Sequence, residues 1–203
     1  VFYENLGSAG SWHFNEISNT VTNLAWQESH SNPAFGDYDN DGDLDLLLSC
    51  VYMGGTVSLY SNNGDWTFTD VTGEAGLGGL TASGQYQAAW ADFNNDGALD
   101  LITVGKLFVN PGTSGHWIKV HLAGDGTNVN RDAIGAQVRI DMGDGRILTR
   151  QVEAGTGNGN QNEMTLHFGL GTHSSSVTLD ITWPDGTTES VATGVDQRVE
   201  VQY

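Results

Sequence analysis

The stretch Phe35-Gly36-Asp37-Tyr38-Asp39-Asn40-Asp41-Gly42-Asp43-Leu44-Asp45-Leu46-Leu47-Leu48-Ser49 constrains this chain more than any other. Five carboxylates occupy every second position from 37 to 45, and an apolar run follows at once. Like charges this close repel one another unless a cation sits among them. Oxygen ligands at loop positions 1, 3 and 5, with a glycine at 6 for the sharp turn, suit calcium. A second copy, Asp92-Phe93-Asn94-Asn95-Asp96-Gly97-Ala98-Leu99-Asp100, lies 55 residues further on. The flanks agree as well, Ala34-Phe35-Gly36 matching Ala89-Trp90-Ala91.

A third element recurs as Phe2-Tyr3-Glu4-Asn5, Leu59-Tyr60-Ser61-Asn62 and Leu107-Phe108-Val109-Asn110, followed twice by Trp12-His13-Phe14 or Trp66-Thr67-Phe68. Short strand-like runs separated by Gly/Asn/Asp turns, repeating at a period near 50 residues, read as blade-like β units. Each unit runs aromatic strand, aspartate loop, aliphatic strand, Tyr-x-Asn strand and hairpin partner. Residues 1–18 read as the last two strands of a blade. The breaker cluster Asn110-Pro111-Gly112-Thr113-Ser114-Gly115 ends the repeats. Beyond it, alternating runs such as Trp117–Leu122, Ala136–Ile140, Ile147–Val152, Met164–Phe168, Val177–Trp183 and Arg198–Val201 suggest about seven strands. The expected fold is all-β: an incomplete β-propeller-like blade array over residues 1–110, a linker at 111–115 and a β-sandwich over 116–203.

Charge narrows the partners. Residues 1–105 contain no Lys or Arg and 14 acidic residues, whereas residues 106–203 contain all 7 basic residues and 11 acidic ones, for a net charge of -18. Such a field repels nucleic acid and anionic membrane surfaces. An acidic surface kept for solubility would explain the charge but not its clustering at calcium spacing. No apolar run approaches a membrane span. Cys50 is the single cysteine, so no internal disulfide forms, and a buried inert thiol is expected. The chain begins at Val1 rather than Met, which suits removal of a leader.

Residues 35–49 and 90–104 resemble the calcium loops of FG-GAP/VCBS repeats, the blade units of integrin α propellers. Residues 116–191 resemble the ASPIC/UnbV domain through Asn130-Arg131-Asp132-Ala133-Ile134-Gly135-Ala136, Leu166-His167-Phe168-Gly169-Leu170-Gly171 and Trp183-Pro184-Asp185-Gly186. Gly155-Thr156-Gly157-Asn158-Gly159-Asn160-Gln161-Asn162 departs from that domain's usual loop.

These loops would hold two Ca2+ ions. The first would use Asp37, Asp39, Asp41 and Asp45 with the carbonyl of Asp43, the second Asp92, Asn94, Asp96 and Asp100 with the carbonyl of Ala98. The first should be the tighter because it carries more charge. An EF-hand is excluded, since its twelfth position should be Glu and here falls on Leu48 and Thr103 between strands. The six His show no zinc spacing, and His167 reads as a strand histidine rather than a general base. Trp12 or Trp26, if exposed, could contact sugar. No Gly-x-Ser-x-Gly elbow or His-Glu-x-x-His occurs, so no enzyme is expected. The expected role is an extracellular or cell-surface, calcium-stabilised structural protein. It would self-associate head-to-tail through open sheet edges. The alternative is an adhesion or ligand-binding module for glycan or protein, part of a longer propeller.

Overall fold

The structure is a computed structural model and describes residues 2–7, 12–17, 23–24, 30–52, 54–81, 87–112, 114–157 and 159–203. Every regular element among them is a strand. β1 (Phe2–Asn5) and β2 (Phe14–Ile17) form an antiparallel hairpin with Asn5 opposite Phe14 and Tyr3 opposite Glu16. A four-stranded antiparallel meander follows: β3 (His30–Gly36), β4 (Asp45–Cys50), β5 (Ser58–Asn62) and β6 (Phe68–Asp70). Here Asn62 stands opposite Phe68 and Tyr60 opposite Asp70. The hairpin and the outer half of this blade are therefore the same unit. Trp12 is exposed; Trp26 lies outside the described residues.

β4 is apolar on both faces because both are covered. Leu46 packs with Tyr60 and Phe68, while Leu47 joins Ala34, Val57 and Leu59 in a separate cluster. A second blade has three strands, β7 (Ala88–Ala91), β8 (Asp100–Thr103) and β9 (Lys106–Phe108). Trp90 and Leu101 from this blade complete the core around Leu47. Trp90 lies so close to β3 that a Cβ at Gly36 would come within 2.8 Å of its ring. Glycine in a strand interior marks this kind of approach.

The remaining strands are β10 (His116–Ala123), β11 (Gln137–Asp141), β12 (Ile147–Gln151), β13 (Leu166–Gly171), β14 (Val177–Thr182), β15 (Thr188–Thr193) and β16 (Gln197–Gln202). They form two sheets, β13-β10-β16 and β12-β11-β14-β15, with β10 and β16 parallel. Ile118, Val120, Phe168 and Leu170 from one sheet meet Val138, Ile140, Leu179 and Ile181 from the other in a single core. This is a β-sandwich. Two details differ from expectation. β15 is an added strand whose residues (Thr-Glu-Ser-Val-Ala-Thr) are too polar to signal burial. β13 runs on past the expected end at Phe168 to Gly171, and Gly169 within it packs closely against the first aspartate loop.

The end of the expected linker is held against the first blade. A Cβ on Gly115 would lie 2.6 Å from the Asn40 carbonyl oxygen, so the chain is closely packed at that residue.

Candidate metal centre

Each aspartate loop joins the inner strand of its blade to the next, β3 to β4 and β7 to β8. The reversal uses left-handed backbone at the same two places in both copies, Asn40 and Gly42 in the first, Asn95 and Gly97 in the second. Asn and Gly are the residues that tolerate it. The ninth-position carboxylate then ties the loop together. Asp45 accepts from Tyr38 N (3.0 Å) and Asn62 N (2.9 Å), and Asp100 from Phe93 N and Asn110 N (both 2.8 Å). The recurring Asn of the Tyr-x-Asn element is thus the anchor of the loop. Its side chain also donates to a loop carbonyl, Leu44 for Asn62 and Leu99 for Asn110.

In the first loop, one carboxylate oxygen from each of Asp37, Asp39 and Asp45 lies within 4.8 Å of the others. Asp37 Oδ2 accepts from Gly42 N at 3.1 Å and Gly169 N at 2.9 Å. Asp37 Oδ1 is buried and has no hydrogen-bond partner. Burial pushes the Asp37 carboxyl up to about 7 and that of Asp45 up to about 8, and raises Asp39, Asp41 and Asp43 as well. A divalent cation would relieve this repulsion, and an all-oxygen donor set with an orphaned buried carboxylate oxygen fits Ca2+. Asp41 stands outside the trio, and its Oδ1 caps Asp43 N at 2.8 Å.

The second loop is tied differently. Asp92 Oδ2 accepts from Gly97 N (3.0 Å) and from the Lys119 ammonium (3.1 Å), and Oδ1 from Asp96 N (3.1 Å). Lys119 is buried and also pairs with Glu163 at 2.9 Å. Asn94 Nδ2 donates to Asp96 Oδ2 at 2.7 Å, and Ala98 N to Asp96 Oδ1 at 2.9 Å. Among the described residues, Asp92, Asp96 and Asp100 do not converge as the first trio does.

The sandwich reaches the blades elsewhere too. Asn162 accepts from Trp90 N (3.0 Å) and donates to Phe35 O (3.3 Å), bridging β7 and β3. Asn160 does the same between Asn32 and the Ala88 carbonyl. His167 places Nε2 3.1 Å from Gly97 O, and burial holds its imidazole down to about 4. The sequence offered no signal for Arg150, Lys119, Asn160 or Asn162. Gly169 was not marked either, because the expected strand ended at Phe168.

A family model described as FG-GAP-like repeat matches residues 37–103, and one described as ASPIC and UnbV matches residues 126–203. The chain carries an FG-GAP-like repeat followed by an ASPIC/UnbV domain. It is distantly related to cartilage acidic protein 1. Identity is 28% over 186 residues with the Xenopus tropicalis protein and 27% over 192 residues with the Homo sapiens protein, covering 82% of this chain in each case. The chain spans 28% and 27% of the length of these relatives. The ASPIC/UnbV motifs have structural uses here. Asn130 exchanges hydrogen bonds with the Ile134 backbone (2.8 and 2.9 Å), and Trp183 stacks edge-on to Tyr203 with centroids 5.3 Å apart. No helix among the described residues is long and apolar enough to cross a membrane.

Proposed function

We propose that this chain is a non-enzymatic, calcium-stabilised structural module of an extracellular or cell-surface protein. The observation that carries the reading is the buried, partnerless Asp37 Oδ1 beside Asp39 and Asp45. Millimolar calcium outside cells suits sites of this type, and the similarity to cartilage acidic protein 1 agrees with an extracellular setting. The ion binds Asp37, Asp39 and Asp45, with Asp41 and the Asp43 carbonyl completing the set. A second, weaker ion uses Asp92, Asn94, Asp96, Asp100 and the Ala98 carbonyl. Titration calorimetry with calcium on the whole chain tests this. Loss of the tighter calcium-binding event in Asp37→Asn supports the reading, and no uptake by the unaltered chain overturns it.

The module associates with further copies of itself through sheet edges. Ile102, Leu107 and Val109 are exposed around β9, the outermost strand of the second blade among the described residues, and an unpaired edge accepts an added strand. Light scattering at high concentration checks this, and a monodisperse monomer counts against it. Adhesion to protein or glycan is the second reading, favoured by exposed Tyr3, Trp12 and Phe14 on the β1–β2 hairpin.

A further inference from the structure

β13 is an outer strand of its sheet, paired with β10 on one side only. The first aspartate loop covers its other side. Gly169 N donates to Asp37 Oδ2 at 2.9 Å and Gly171 N to Asn40 O at 2.8 Å. Arg150 Nη2 lies 3.6 Å from Asp37 Oδ2 and donates to Gly42 O at 3.4 Å, while Arg146 Nη1 donates to Asp41 O at 3.4 Å. The carbonyls of residues 40, 41 and 42 are therefore all held by the sandwich. The fit leaves no slack, since a Cβ on Gly169 would lie 2.4 Å from Asn40 Cα and 2.5 Å from Asp37 Oδ2.

We infer that the ASPIC/UnbV domain forms the outer half of the calcium site: the Gly169 amide and Arg150 position Asp37, and calcium binding in the first loop is coupled to docking of β13. This rests on the calcium reading above. Docking strips water from Asp37 and leaves Oδ1 without a donor, a costly state for a buried carboxylate. A cation bound there satisfies Oδ1, so the docked arrangement and the ion favour each other. By linkage the effect is reciprocal, and docking tightens calcium binding. The donors on Oδ2 also fix the carboxylate before the ion arrives, as outer partners of metal ligands commonly do. The second loop provides an internal comparison, because there Lys119 supplies a positive charge to Asp92 directly.

Hydrogen exchange of the full chain with and without calcium tests the coupling. Calcium should slow exchange in residues 166–171 as well as in 37–45. In calorimetry, Gly169→Ala and Arg150→Lys should bind calcium about 10-fold more weakly. Protection confined to 37–45, or native affinity in both variants, would overturn the coupling while leaving the calcium reading intact. No calcium uptake by the unaltered chain would remove both. The exchange measurement needs no variant, so a variant that fails to fold does not shield the inference.

Discussion

The amide of Gly169 donates to Asp37 Oδ2 at 2.9 Å across 132 positions of sequence. One carboxylate thus joins the aspartate loop of a blade to the edge of the sandwich. It also couples the loop's electrostatics to the stability of the whole chain, and several measurable consequences follow from that arrangement.

Chelation should destabilise the protein. A ligand that binds only the folded state at about 100 times its Kd contributes about 2.7 kcal/mol. For a chain of this size that corresponds to a Tm drop of roughly 5–10 °C in EDTA. Asp39→Ala should produce a similar drop in calcium and little further change in EDTA. Differential scanning calorimetry reads both, and an identical melt with and without EDTA would sink the calcium reading.

The two loops should respond unequally. Asn94 is exposed and its side chain bonds within its own loop. Asn94→Ala should change stability by about 0.5 kcal/mol or less and keep most of the calcium-dependent Tm shift. Asp37→Asn should abolish that shift. If Asn94→Ala removed it instead, the second loop would be the principal site.

Without calcium, stability should fall as pH rises from about 4 to 8. Burial lifts Asp37 to about 7 and Asp45 to about 8, well above the unfolded value of about 3.9. Groups with raised folded values add stability that is complete below the unfolded value and is lost progressively until pH has passed the folded values of about 7 and 8. His167, held down to about 4, works in the opposite sense, losing its contribution only as pH falls from 6.5 to 4. Calcium binds the deprotonated carboxylates, so millimolar calcium should flatten or reverse this slope. Thermal melts across this window, with and without EDTA, provide the check.

Lys119 should behave as a buried ion-pair partner. Lys119→Met leaves Asp92 and Glu163 without their ammonium, a change of the kind that costs about 3–5 kcal/mol. Adding Asp92→Asn should recover part of the loss. Urea denaturation of the single and double variants measures the coupling, and strictly additive losses would argue against a working pair.

Sequence by itself determined the parts governed by neighbours. Alternating carboxylates with glycine at the sixth position specify the loop, because its turns and the Asp45 and Asp100 ties form within one blade. The Tyr-x-Asn recurrence and the alternating apolar runs located the blade strands and most of the sandwich strands, because side-chain period and turn chemistry are local. Polar β15 escaped, since its hairpin position rather than its hydrophobicity makes it a strand. Tertiary structure decided how the carboxylates divide their work. Asp37, Asp39 and Asp45 converge while Asp41 caps a turn, and Asp92 takes an ammonium where Asp37 takes a backbone amide. Those partners come from Lys119 and Gly169 on strands of another domain. No spacing rule reaches that far, because burial, and with it the need to satisfy each oxygen, arises only when the two domains close on each other.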